Sequence, residues 1–236
     1  MNEAFFTLHD ELPREGPGDR ASLDRVLALA APPRDARILD AGCGPGADID
    51  GLLAHAPQGH VTAIEAHPPF ADRVAARFAG DPRVTARSGD MLAATGPFDL
   101  IWSAGAVYMV GVTEALKAWR GVLAPGGRVV FSEIVWLTGT PPREAAIFWR
   151  AYPAMTALPG LMDRIAAAGY RCLGHEILPD AAWEAYFTPI EARIAQLRPG
   201  ADAAMTEVLD EQEQEIALWR SHRDAFGYAL CVVEPA

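Results

Sequence analysis

Residues 38–48 read Ile-Leu-Asp-Ala-Gly-Cys-Gly-Pro-Gly-Ala-Asp: an apolar strand ending in an acid, three glycines at alternate positions, then a helix-like run. Residues without side chains let a ligand approach the backbone and accept positive φ where the chain turns sharply. The helix beyond presents unpaired N–H groups. Gly42, Gly44 and Gly46 therefore predict a cradle for a small polar, nucleotide-like ligand, with Cys43 as a small packing residue inside it. The spacing is G-x-G-x-G instead of the dinucleotide G-x-G-x-x-G, and Asp40 stands at the strand tip. A carboxylate there repels a pyrophosphate and suits a ligand of net positive charge. A second apolar run ends at Glu65, about twenty residues further on, the spacing at which an acid meets ribose hydroxyls. Ala66 beside it is placed to flank a base.

Leu39-Asp40-Ala41-Gly42-Cys43-Gly44-Pro45-Gly46 resembles motif I of class I S-adenosylmethionine-dependent methyltransferases. The resemblance implies a Rossmann-like fold, S-adenosylmethionine as cofactor and methyl transfer that yields S-adenosylhomocysteine. Ser88-Gly89-Asp90-Met91 resembles the family's acidic loop, which implies adenine contacts from Asp90 and Met91. Phe98-Asp99-Leu100-Ile101-Trp102-Ser103 and Leu123-Ala124-Pro125-Gly126-Gly127-Arg128 match further signatures in the expected order, so the resemblance spans residues 38–134. It implies a contact from Ser103 beside the methyl donor. The chain is also similar to bacterial small-molecule methyltransferases of the ubiquinone-biosynthesis-like group, methyltransferase type 11. That likeness rests on Leu12-Pro13-Arg14-Glu15-Gly16-Pro17-Gly18, on Trp102-Ser103-Ala104-Gly105-Ala106-Val107-Tyr108, and on Ser132-Glu133 with Trp136. The third residue of the Trp-Ser segment, commonly acidic in that group, is Ala104 here. Arg14 is either a partner for the cofactor carboxylate or an exposed loop arginine.

Methyl transfer from a sulfonium is an in-line displacement, served chiefly by alignment and exclusion of water. A hydroxyl or ammonium acceptor gains from a nearby base, whereas a thiolate or neutral amine needs only positioning. The residues placed for catalysis are Tyr108 after the fourth strand, Glu133 at the end of the fifth and His175 in the sixth. Trp136, Trp149 and Tyr152 read as either a cation-binding cage or core. His9 reads as a pocket or a structural histidine, and Trp183 and Tyr186 as pocket or brace. No metal site is expected.

Apolar runs and turn signals alternate around these residues in a doubly wound rhythm. Helices are predicted over 22–31 (capped by Ser22), 48–56, 69–78, 114–123, 143–152 and 161–168. Strands fall at 37–40, 61–65, 84–87, 98–103, 128–134, 170–178 and 228–233. The predicted fold is α/β: a Rossmann-like, seven-stranded, mostly parallel sheet with an antiparallel last strand and helices on both faces. A helical insertion over 181–224, split at Pro199-Gly200, and the N-terminal segment 1–21 are expected to roof the C-terminal edge of the sheet. The acids from Glu207 to Glu215 are read as a solvated face.

The 236 residues, 50% hydrophobic and 22% charged, suit a single domain over 1–236, with a cofactor-binding core over 22–134 and the remainder over 135–236. A net charge of -11 argues against a nucleic-acid partner. No apolar run has the length of a membrane span and the start is unlike a signal peptide, so the expectation is a cytoplasmic chain, monomer or homodimer, with a small-molecule substrate. Cys43, Cys172 and Cys231 are too few for a disulfide framework. Two other readings stand beside the methyltransferase: a non-catalytic S-adenosylmethionine-binding protein, and an NAD(P)-dependent oxidoreductase.

Overall fold

The computed structural model describes residues 3–236, so residues 1 and 2 of the predicted lid segment lie outside the described residues. In β1 (Arg37–Ala41) the consecutive residues Ile38 and Leu39 are both fully buried. Successive side chains of a strand face opposite sides, so both faces of this sheet must be covered. The long β5 (Leu123–Trp136) repeats the pattern with Val129, Val130 and Phe131. β2 (His60–Glu65), β3 (Val84–Ser88) and β4 (Phe98–Ser103) complete a parallel set with them. The order is β3-β2-β1-β4-β5, continued by β8 (Phe226–Pro235) and then β7 (Tyr170–Ile177). β8 is antiparallel to both neighbours, as the sequence predicts for the last strand. The sheet has eight strands and not seven, because the two-residue β6 (Thr156–Ala157) pairs with the far end of β5, which outruns β4.

Val26 of α2 (Arg20–Ala30), Leu52 of α3 (Ile49–His55) and Val74 of α4 (Pro68–Arg77) pack on one face of the sheet. Trp119 of α5 (Val112–Arg120) and Leu161 of α7 (Leu158–Ala167) pack on the other. The cap of α2 is Asp19, not Ser22: its carboxylate accepts from Ser22 N at 2.6 Å, and the helix starts earlier than predicted. The run predicted as one helix over 143–152 is α6 (Arg143–Phe148) followed by a tighter 3-10 turn, Trp149–Ala151. Strand β5 begins before Pro125-Gly126-Gly127, and a register shift between Phe98 and Leu100 absorbs the extra residues.

α8 (Asp180–Leu197) and α9 (Ala203–Ser221) form the predicted insertion, and α1 (Glu3–His9) packs against both. This roof has a core of its own, containing Leu8, Leu12, Phe187, Leu209 and Phe226. Trp183 stacks on Trp219 with centroids 5.1 Å apart, so it braces the roof. The acidic face of α9 is only partly solvated: Glu207, Asp210, Glu211 and Glu213 are exposed, whereas Glu215 is half-buried on the inner side. Beneath the roof, β2 lies on one side of β1 and β4 on the other, so the loops leaving β1 and β4 diverge and open a crevice at this switch point.

Candidate active site

Gly42, Cys43 and Gly44 form one wall of the crevice, and Ala104, Gly105 and Ala106 the other. Gly42 has φ +73°, and a Cβ there would stand 2.5 Å from Ala106 Cβ, so only glycine fits. At Gly44 (φ +51°) a Cβ would meet Glu15 Cγ at 3.2 Å: the N-terminal segment lies directly on the turn. Gly42 N and Cys43 N both donate to Ile64 O, at 2.9 and 3.1 Å, and Gly46 N donates to Cys43 O at 2.9 Å. The turn is thereby tied to the end of β2. Burial pushes the Cys43 thiol up, which keeps it neutral.

Glu65 faces this turn. Its Oε2 accepts from Gly44 N at 2.9 Å and its Oε1 from His67 N at 2.8 Å. Each oxygen keeps a lone pair, an arrangement suited to a vicinal diol. Asp40 is 3% exposed, and its carboxylate accepts no hydrogen bond from any described residue. Burial, then the charges of Asp48 and Glu65, hold its carboxyl well above the ordinary range. A buried carboxyl without a donor favours a ligand that brings one.

Asp48 accepts from Trp102 Nε1 at 3.0 Å and pairs with Arg14 Nη2 at 3.4 Å. Arg14 is 13% exposed and donates from Nε to Gly16 O at 2.6 Å, so it is a cleft residue and not a solvated loop arginine. At the outer end of the cleft Phe6 stacks on His67, with centroids 3.7 Å and planes 3° apart, and Phe70 meets both edge-on.

Several predicted residues stand elsewhere. Ala66 is exposed and its neighbour His67 lines the cleft instead. Asp90 is exposed and caps the 3-10 turn Met91–Ala93 by accepting from Leu92 N at 2.8 Å. Met91 is buried behind the glycine turn, its carbonyl accepting from Trp119 Nε1 at 3.2 Å. Ser103 is fully buried and donates to Ala41 O at 2.8 Å, a strut between β4 and β1. His175 lies exposed on β7, the outermost strand, because β8 inserts between β7 and β5 and carries it away from the crevice.

A second cavity of about 320 Å³ adjoins the cleft, with Phe5, Glu15, Gly16, Pro17, Gly105 and Tyr108 as the shared wall. Trp149, Tyr152, Tyr186, Tyr228, Gln212 and Glu215 enclose the far side. Tyr108 is 43% exposed and meets Tyr152 edge-on at 6.1 Å. Trp136 packs edge-on against Phe226 and does not line the cavity. His9 is buried, with Nδ1 2.7 Å from Glu15 Oε2.

Glu133 does not line the cavity either. It is 1% exposed, and its Oε1 accepts from Tyr152 Oη at 2.9 Å, so it acts on the cavity through Tyr152. Burial pushes its carboxyl from the ordinary 4.5 up to about 7, against the Tyr152 hydrogen bond and the Arg164 charge. The native state therefore holds this proton between those values while the unfolded chain releases it, and stability falls as pH rises through that window. Glu133→Gln is expected to melt like the parent at pH 5 and to be more stable by about 3 kcal/mol at pH 8. Calorimetric melts at the two pH values check this; an equal difference at both would contradict it.

Among the described residues there is no group of three His, Cys, Asp or Glu side chains suited to a metal ion, and no helix is long and apolar enough to cross a membrane. Sequence reasoning did not assign Asp48, Glu15, Phe6, His67, Gln212, Glu215 or Tyr228 to the site. The segment containing Glu15 carried a signal, but the directions of these side chains are set by the packing of distant elements.

Residues 38–127 match the family model of a methyltransferase domain. The fold around that match is the Rossmann-like methyltransferase fold. Among solved structures, the chain is similar to a SAM-dependent methyltransferase from Geobacter sulfurreducens in complex with S-adenosyl-L-homocysteine, with a TM-score of 0.84, 20% identity, and coverage of 100% of this chain and 99% of that one. It is 34% identical over 133 residues to the malonyl-[acyl-carrier protein] O-methyltransferase of Pseudescherichia vulneris, 56% of this chain and 51% of that protein. It is 37% identical over 120 residues to the trans-aconitate 2-methyltransferase of Streptomyces avermitilis, 48% of this chain and 44% of that protein. The chain thus spans about half the length of these two curated relatives.

Proposed function

We propose that the chain is an S-adenosylmethionine-dependent methyltransferase acting on a small-molecule acceptor. The observation that carries this reading is the pair of carboxylates around the glycine turn: Glu65, held by two backbone N–H groups with acceptor capacity to spare, and Asp40, buried without a donor. They fit a nucleoside with a ribose diol and a cationic tail, and they oppose a pyrophosphate. The Geobacter structure with S-adenosyl-L-homocysteine supports the same ligand.

When bound, S-adenosylmethionine supplies an electrophilic methyl group on a sulfonium. Glu65 would hold the ribose, the stacked pair of Phe6 and His67 would border the base, and Arg14, with Asp40 buried behind the glycine turn, would answer the amino-acid end. The wall of Gly16, Gly105 and Tyr108 between cleft and cavity aligns the acceptor with the donor, and the roof of α1, α8 and α9 excludes water. The net charge of -11 favours a small molecule over a nucleic acid as acceptor.

Calorimetric titration with S-adenosylhomocysteine is expected to show one site per chain, and no heat with NADH. Folded protein that binds NADH and not S-adenosylhomocysteine would overturn the reading. Release of S-adenosylhomocysteine on incubation with S-adenosylmethionine and panels of amines, phenols, thiols and carboxylates then reports turnover.

A further inference from the structure

We propose that the cavity beside the donor cleft binds a small amine in its ammonium form, with Glu215 as the carboxylate that pairs with it. The proposal rests on the methyltransferase reading above and names the acceptor class for the same site. The cavity lining holds two carboxylates, Glu15 and Glu215, and among the described residues it has no lysine, arginine or histidine. Glu15 already has a partner behind the wall in His9, 2.7 Å away.

Glu215 has none. Its Oε2 accepts from the neutral amide Nε2 of Gln212 at 3.1 Å, and its Oε1 accepts from no described residue. It is half-buried on the inner side of α9 while Glu211 and Glu213, on the same helix, face solvent. A carboxylate withdrawn from water is costly unless a cation answers it. Burial holds the Glu215 carboxyl above its ordinary value, the condition that a bound cation reverses.

The rest of the far wall is mostly aromatic, with Phe148, Trp149, Tyr152, Tyr186 and Tyr228 beside Ile134 and Ala151, a lining that favours an ammonium over an anion. A carboxylate acceptor would meet two like charges with no lysine or arginine in the lining, His9 behind the wall being already paired with Glu15, and that repulsion disfavours it. At about 320 Å³ the cavity is at the small end of ligand pockets, the size for a single-ring or short-chain amine.

An ammonium has no lone pair, so a proton must leave before transfer, and Glu215 takes it. The freed nitrogen then forms its bond to the methyl carbon as the carbon–sulfur bond breaks with its electron pair remaining on sulfur. The positive charge passes from sulfur to the methylated nitrogen.

The test begins with protein saturated with S-adenosylhomocysteine, which establishes the donor site first; failure at that stage overturns the methyltransferase reading itself. Amines are then titrated against their carboxylate counterparts by calorimetry, beginning with phenethylamine against 3-phenylpropanoate and extending to secondary, tertiary and straight-chain pairs. Amines are expected to bind at least tenfold tighter than their counterparts. Glu215→Gln is expected to lose tenfold or more of the amine affinity with S-adenosylhomocysteine binding unchanged, and Glu215→Asp to recover part of it. Carboxylates binding as tightly as amines, neither series binding the saturated protein, or amine affinity unchanged in Glu215→Gln would each overturn the proposal.

Discussion

Replacing Glu65 with alanine is expected to weaken S-adenosylhomocysteine binding by about 100-fold or more while the chain stays folded. The carboxylate has two jobs in one place. It receives Gly44 N and His67 N at 2.9 and 2.8 Å, which fixes the glycine turn against β2, and its spare lone pairs face the cleft. A hydrogen bond to a charged group is worth about 1.5–3 kcal/mol, so losing two from the ligand removes at least about 3 kcal/mol. At about 1.4 kcal/mol per tenfold, that is two decades of affinity before any loosening of the turn. The fold tolerates the change because the two freed N–H groups border the cleft, where water reaches them.

Glu65→Gln is the sharper control. An amide has one acceptor oxygen, so its NH2 must point at either Gly44 N–H or His67 N–H, and the turn loses a bond in either orientation. Its affinity is expected to fall nearly as far as that of the alanine variant. Calorimetry on both proteins is the measurement, and an alanine variant within threefold of the parent would refute the role.

The largest expected loss of stability comes from Trp119→Ala. Trp119 is fully buried on α5 in the core between α5, α7 and the sheet, and its Nε1 donates to Met91 O at 3.2 Å. Truncating a buried tryptophan costs about 3–5 kcal/mol. The orphaned Met91 carbonyl adds a desolvation penalty of about 1–3 kcal/mol. At about 2–4 °C per kcal/mol for a chain of this size, the melting temperature should fall by about 10 °C or more. Trp119→Phe restores most of the volume but not the N–H, so its difference from the parent reads chiefly the hydrogen bond and its difference from the alanine variant reads the lost packing. Because Met91 packs behind Gly42, the alanine variant should also bind S-adenosylhomocysteine more weakly. Urea denaturation and calorimetry read the two effects separately, and a stability loss below about 1 kcal/mol would show that the site repacks.

Two sequence readings were redirected by the same physical cause. Ser103 ends β4 and Glu133 was expected to end the fifth strand, which in fact runs on to Trp136; Ser103 bonds Ala41 O and Glu133 bonds Tyr152 Oη. A strand end gives the position of a side chain, and which neighbour takes its polar atom is decided by the adjacent strand or the roof. His175 stands away from the crevice for a topological reason: the sequence order puts its strand after the fifth, but the chain returns through α8 and α9 to lay β8 in between.

What the sequence by itself determined was the glycine-turn cleft: the turn at Gly42, Gly44 and Gly46, the acids Asp40 and Glu65, and the βα alternation that sets them at one sheet edge. These features lie within contiguous segments, where strand period, glycine φ and short loops dictate geometry almost without help from the rest of the chain. The adjoining cavity was decided only by the tertiary structure. Phe5 and Glu15 come from one end of the chain, Tyr108 and Tyr152 from the middle, and Glu215 and Tyr228 from the other end. Their side chains face one cavity because α1 packs on α8 and α9 through a shared apolar core. Local periodicity marks that core but not which of the many acids on α9 it turns inward.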